Sequence, residues 1–208
     1  MREDTKTLTF AAIVCVSCSL LLSGTAAGLK TRQQANEAFD VKRNIVKAFG
    51  IDIGQMDRPE IESTFEKHVS EEMAGDLPIY TWTEDGSDQP SKYAFPVSGK
   101  GLWSMMYGYL SLKADLETIA GISFYKHGET PGLGAEIEKS WFQTQFTGKK
   151  LYEDGAATEF QVLKPGSTLG ESSVDGISGA TLTGKGVEAL IRKDAAAYAN
   201  YFTSIKGN

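Results

Sequence analysis

Residues 7–29, TLTFAAIVCVSCSLLLSGTAAGL, contain no charged side chain, and as a helix they would extend about 35 Å, enough to cross the hydrocarbon core of a bilayer. Whatever follows must fold as a body tethered at its N-terminal end. A cleaved signal peptide is the competing reading, because Thr25-Ala26-Ala27 resembles a small-residue cleavage site. The leading MREDTK is a poor basic region for such a signal, however, since Glu3 and Asp4 offset Arg2 and Lys6. The expectation is an uncleaved single-pass helix at 7–29 behind a short tail at 1–6. Lys30 and Arg32 follow the apolar run and match the positive charge ahead of it, so charge alone does not orient the helix.

The chain's 2 cysteines, Cys15 and Cys18, form a C-x-x-C inside the apolar run, where small polarizable residues are ordinary helix-packing material. The remainder then has no disulfide, thiolate nucleophile or iron–sulfur ligand of its own. With only 2 histidines, His68 and His127, a zinc site of the usual type is not expected. A net charge of −6 argues against nucleic acid as a partner, which would need a clustered basic surface.

Beyond the apolar run lie roughly 180 residues, the size of one domain with a substantial core. Residues 33–49 carry Phe39, Val41, Ile45, Val46 and Phe49 near helical spacing, and Gly50 is placed to end a stalk helix over 30–50. Asp57, an early proline and the apolar residues Ile61, Phe65, Val69 and Met73 predict a second helix over 59–73. The polar segment 84–90 reads as a surface loop between two strands. From 93 to 126 β-branched and aromatic residues dominate, with strands expected at 105–112 and 118–125 around a turn at Ala114-Asp115. A short strand at 160–163 and a closing helix over 184–205 complete an α+β domain over 51–208: a mostly antiparallel sheet flanked by helices.

Two glycine-rich segments carry the chemistry: His127-Gly128-Glu129-Thr130-Pro131-Gly132-Leu133-Gly134 and Asp175-Gly176-Ile177-Ser178-Gly179-Ala180-Thr181-Leu182-Thr183-Gly184. In the second, Ser178, Gly179 and Ala180 leave the backbone accessible, and Thr181 and Thr183 stand where the last helix begins, a setting suited to a phosphate. The plainer alternative is that Thr183 caps the helix and the glycines only make a turn. The first segment is explained equally by a tight turn at Pro131-Gly132 leading into a helix near Ala135. Neither G-x-x-x-x-G-K-[ST] nor a G-x-G-x-x-G opening a βαβ unit occurs, which disfavours P-loop and Rossmann nucleotide sites.

On the G-K-G-L-W-S run at 99–104, E-T-P-G-L-G at 129–134 and D-x-x-S-G-A-T at 175–181, the chain resembles the FMN-binding subunits of bacterial membrane redox complexes. The C subunit of sodium-translocating NADH:quinone reductases is the nearer likeness and the G subunit of the Rnf complex the more distant one. The resemblance implies FMN joined through its phosphate to the hydroxyl of Thr181 by a separate FAD-dependent FMN transferase, with Asp175, Ser178, Gly179, Ala180 and Thr183 as the surrounding site. It further implies that Glu129, Thr130 and Leu133 lie against the isoalloxazine ring. It places the N-terminus in the cytoplasm, the helix in the inner membrane and the flavin domain on the periplasmic side, among other membrane subunits carrying electrons from NADH to ubiquinone or menaquinone. Trp103 is expected to fill core at the head of a strand, and His127 to be structural. A membrane-tethered binding domain without redox chemistry is the competing class of function.

Overall fold

The computed structural model describes residues 2–206. It begins with one unbroken helix, α1 (Arg2–Ala48). The most apolar stretch of α1 has no buried residue, and Leu8, Phe10, Ile13, Leu20, Leu21 and Leu22 are all exposed, as a helix long and apolar enough to cross a membrane requires. Gly50, with φ of +79°, ends the helix as the sequence predicts, because its amide returns to the carbonyl of Lys47 in a backbone conformation glycine adopts without cost.

From Val41 onward the chain forms a single compact unit. Its centre is a five-stranded antiparallel sheet in the order β1 (Val69–Ala74), β2 (Leu77–Thr83), β3 (Pro90–Lys100), β4 (Met105–Lys113) and β5 (Ile119–Lys126). Because strand side chains alternate between faces, the sheet has two apolar surfaces. One presents Phe95, Val97, Leu110, Leu112, Ile122 and Phe124 to a long C-terminal helix, α4 (Thr181–Lys206), which contributes Val187, Leu190, Ile191, Ala195, Tyr198 and Phe202. The other presents Tyr80, Trp82, Ala94 and Tyr109 to Ile45, Val46 and Phe49 at the end of α1. With both faces covered, β4 and β5 are almost wholly buried. Ala120 is an extra residue opposite the Ser111/Leu112 step, and this bulge lets Ile119 and Ile122 point to the same face although they are three residues apart.

The end of α1 sits in a polar socket. Buried Ser123 donates to the carbonyl of Asn44 at 2.8 Å, Lys92 donates to the carbonyl of Phe49 at 2.9 Å, and fully buried Ser111 donates to the carbonyl of Ala48. The Ala48 and Phe49 carbonyls lie past the last intrahelical amide and have no partner within the helix, while that of Asn44 takes the Ser123 hydroxyl in addition to its helical bond. Gly121 completes the socket, since a Cβ there would stand 2.6 Å from the Ala48 oxygen. Ser111→Ala is therefore expected to cost about 1–3 kcal/mol, the penalty for leaving a buried carbonyl without its donor. A lowered urea midpoint with an unchanged m-value would show it.

The second helix, α2 (Arg58–His68), starts with a complete capping box: the Asp57 side chain accepts from the Glu60 amide and Glu60 accepts from the Asp57 amide. It stops five residues short of the predicted end. Residues 69–73 belong to β1, because Gly75 (φ +67°) and Asp76 make a two-residue turn that brings Leu77 back opposite Ala74, and the main chain hydrogen-bonds across that hairpin. β1 is an edge strand with mostly exposed side chains, so it carries little hydrophobic pattern of its own. The helix expected near Ala135 is instead a chain of single turns: a 3₁₀ turn at Gly134–Glu138, α3 (Ser140–Gln143) and a second 3₁₀ turn at Thr144–Phe146. Two short antiparallel strands, β6 (Tyr152–Glu153) and β7 (Ala156–Ala157), precede β8 (Gln161–Leu163), which pairs in parallel with β9 (Ser173–Asp175), a partner too short to show a pattern in the sequence.

Candidate functional site

The segment between β9 and α4 is shaped by its glycines. The Gly176 amide donates to the Leu163 carbonyl at 2.7 Å, and a Cβ on Gly176 would lie 2.8 Å from that oxygen, so the chain leaves β9 pressed against β8. Asp175 secures the same corner: its carboxylate accepts from the Gly166 amide and its own amide donates to the Gln145 side chain. Residues 177–180 then form a β-turn closed by the Ala180 amide donating to the Ile177 carbonyl, with Gly179 at its third position at φ +77°. Ile177 and Ala180 are buried and hold the turn to the core, while Ser178 and Gly179 stand exposed at its tip.

Thr181 follows as the first residue of α4, with an exposed side chain, so the helix begins three residues before its predicted start at 184. Thr181 also lines a groove of about 210 Å³ bordered by Lys164, Pro165, Ile177 and Lys185, which places two cationic side chains beside an accessible hydroxyl. Thr183 is not the helix cap that the plainer reading made it. It lies on the third residue of α4, is buried, and donates its hydroxyl to Glu129 Oε2 at 2.6 Å.

The Glu129–Gly134 run is also a turn that its sequence demands. Pro131 and Gly132 occupy the two central positions, Gly132 takes φ of +72°, and the Thr130 carbonyl accepts the amides of Leu133 and Ala135. Thr130 and Leu133 are exposed, and Leu133 packs at the Gly179 turn: a Cβ on Gly179 would lie 3.0 Å from Leu133 Cδ2. Glu129 itself is only 5% exposed. Its Oε1 accepts the amides of Trp103 (3.0 Å) and Ser104 (3.3 Å), and its Oε2 accepts the amide of Leu102 (3.2 Å) as well as the Thr183 hydroxyl. Burial alone would raise the Glu129 pKa, but the hydrogen bonds from Thr183 and from the Trp103, Leu102 and Ser104 amides outweigh it and hold the carboxyl below its ordinary value. The contribution of this carboxylate to stability is accordingly present at neutral pH and is lost as acid takes the pH down through its lowered pKa.

These bonds bring the 101–104 loop, the 129–134 turn and the 177–181 turn to one place. Trp103, expected in the core, is 70% exposed there, and Leu182 is 62% exposed. Leu102 and Leu133 are half-exposed on the same gathered loops. Leu102 and Leu182 were not expected among the site residues. Leu182 falls off the buried stripe of α4, and Leu102 lies in a glycine-flanked loop; an apolar residue outside any periodic pattern was the available signal. His127 accepts the Glu129 amide at Nδ1 at 3.2 Å, and its Nε2 stands 2.9 Å from Glu138 Oε1.

The domain is an antiparallel sheet backed by one long helix, with an exposed threonine at the helix start and exposed apolar side chains on the loops gathered near it, and its residues 101–195 match the FMN-binding domain family, which makes it a flavin mononucleotide-binding domain. The chain is 32% identical to the C subunit of the Na(+)-translocating NADH-quinone reductase of Vibrio vulnificus, over 88% of this chain and 87% of that one. It is likewise 32% identical to the corresponding subunit of Pseudomonas aeruginosa, over 91% of this chain and 90% of that one. The crystal structure of the same subunit from Parabacteroides distasonis superposes with a TM-score of 0.74 at 32% identity, over 84% of this chain and 97% of that one. The chain belongs to the family of C subunits of Na(+)-translocating NADH-quinone reductases.

Proposed function

We propose that this chain is the membrane-anchored electron carrier of a sodium-pumping NADH:quinone oxidoreductase, holding FMN in a phosphodiester to Thr181. The observation that carries the attachment is the exposure of Thr181 at the first residue of α4, with a groove edged by Lys164 and Lys185 on one side and, on the loops gathered near the helix start, the exposed apolar residues Leu102, Trp103, Leu133 and Leu182 on the other. The anionic phosphate suits the first side and a planar ring the second. Thr183, the neighbouring hydroxyl, is buried and engaged by Glu129, so it is not available for the bond.

Attachment is balanced with FAD as the donor. The Thr181 oxygen bonds to the FMN phosphorus, the pyrophosphate bond of FAD breaks, AMP leaves, and the threonine proton is taken up by the transferase. A covalent tether keeps the cofactor from dissociating and fixes its distance to neighbouring redox groups. The flavin supplies one- and two-electron transfer; the chain's residues supply the tether, the apolar support for the ring and the exclusion of water from one of its faces. The names of the relatives favour a sodium-pumping complex over an Rnf complex; on this reading other membrane subunits are the partners and ubiquinone or menaquinone is the final acceptor. Intact mass tests the assignment: the chain produced with an FAD-dependent FMN transferase should gain the mass of FMN less one water, and the chain produced without it should not.

The uncharged 7–29 segment of α1 is proposed as a single span of the bacterial inner membrane, with the N-terminus cytoplasmic and the flavin domain periplasmic. The chain should remain in the membrane pellet through high salt and alkaline carbonate. Mature protein whose mass lacks residues 7–29 would establish cleavage instead and overturn the anchor.

A further inference from the structure

Trp103 is the largest of the exposed apolar side chains on the loops gathered near the start of α4, yet at 70% exposure it has little packing of its own to hold it in place. Its position is set by its main chain, which is closed by the Gly101 amide donating to the Ser104 carbonyl and tied to Gly128 through the Ser104 hydroxyl, and whose tip is gathered by one further side chain. Three successive amides, those of Leu102, Trp103 and Ser104, converge on the Glu129 carboxylate, while the Thr183 hydroxyl ties the same carboxylate to the first turn of α4. The surrounding glycines show how closely the unit is built. A Cβ on Gly101 would stand 2.5 Å from Glu129 Oε1, and a Cβ on Gly134 would stand 2.6 Å from the Thr183 hydroxyl oxygen. Both carboxylate oxygens are thus fully engaged by the protein, leaving no free acceptor turned toward a bound ring.

From this geometry we propose that Glu129 is a positioning residue, which fixes Trp103 relative to the Thr181 end of α4 and so sets the surroundings of the flavin through Trp103 rather than through its own charge. The inference rests on the reading of Thr181 as the FMN site. Its structural half, the brace itself, does not depend on any cofactor.

The test uses the full chain made with and without the flavin transferase. In the unflavinylated chain, Glu129→Gln and Thr183→Val should each speed hydrogen exchange of the 102–104 amides about tenfold or more, because charge-assisted bonds are lost, whereas Thr183→Ser should exchange like the parent. Parent-like exchange in both Glu129→Gln and Thr183→Val would overturn the brace. In the flavinylated chain, Glu129→Gln should shift the flavin midpoint potentials and visible circular dichroism in the same sense as Trp103→Ala, and should add nothing in the Trp103→Ala background. An equal shift in both backgrounds would mean that the carboxylate acts on the flavin directly, and would overturn the proposal. Thr183→Val takes the place of Glu129→Gln in the cycle if the latter does not fold. A parent chain that gains no FMN mass would overturn the Thr181 reading instead, and the exchange measurements would still decide whether Glu129 holds the loop.

Discussion

Thr181→Ala is expected to abolish covalent flavin completely, while Thr183→Ala should leave the bond in place and instead loosen the 101–104 loop. The two hydroxyls lie two residues apart in one helical turn but in opposite environments. Thr181 is exposed and borders the groove with Lys164 and Lys185, so a transferase can bring an activated phosphate to it. Thr183 is buried and already donates to Glu129 at 2.6 Å. Within the 175–184 segment the other accessible hydroxyl is that of Ser178, at the tip of the 177–180 turn. Intact mass of Thr181→Ala, Thr181→Ser, Thr183→Ala and Ser178→Ala, with fluorescence of the denatured proteins on a gel, separates the three. Flavin retained by Thr181→Ala and lost from Ser178→Ala would move the attachment to the turn.

Gly186→Ala should destabilise the domain by about 2 kcal/mol net, lowering Tm by roughly 4–8 °C, although in an isolated helix the same change is favourable by about 1 kcal/mol. The reversal comes from the crossing of α4 over the end of β3. A Cβ on Gly186 would lie 2.5 Å from the Lys100 carbonyl oxygen, 3.0 Å from Met106 Cε and 3.1 Å from Gly101 Cα. Across the same crossing, a Cβ on Gly99 would lie 2.6 Å from Leu190 Cβ. Main chain at 100 and 101 cannot yield as a side-chain tip could, so the helix must shift or the loop that carries Trp103 must move. Thermal unfolding of the variant decides the matter: a raised Tm would show that the helix and strand are not in such close approach.

The site was legible in the sequence where local chemistry dictates local shape. The turn at 130–133 needs proline and then a residue tolerant of positive φ, which Pro131 and Gly132 provide, and the turn at 177–180 needs the same tolerance at Gly179. α4 was legible from its buried stripe, and β4 and β5 from their β-branched and aromatic runs. Where a residue's own spacing fits two elements, or its setting depends on a bond to another segment, the reading failed. Val69 and Met73 fit a helical spacing as well as a strand, and only pairing with β2 decided between them. Trp103 looked like core because a large aromatic residue usually is, but the amides around it are bound to Glu129, which turns the side chain outward.

Glu129 shows the same division. Its presence in E-T-P-G-L-G marked it as part of a site, and its type, a carboxylate beside glycines, suggested an electrostatic contact with a ligand. The tertiary structure gives it four donors within the protein, drawn from residues 102–104 and 183, which no local pattern announced.

The sequence by itself determined the apolar span, the two glycine turns, the α+β class and the threonine at the start of the last helix, because each follows from hydrophobicity, backbone freedom or periodicity within a short window. Tertiary structure alone decided which threonine is accessible, which apolar residues stand exposed beside it and what the buried carboxylate holds. Those depend on contacts between segments 25 to 54 residues apart, whose geometry no local pattern encodes.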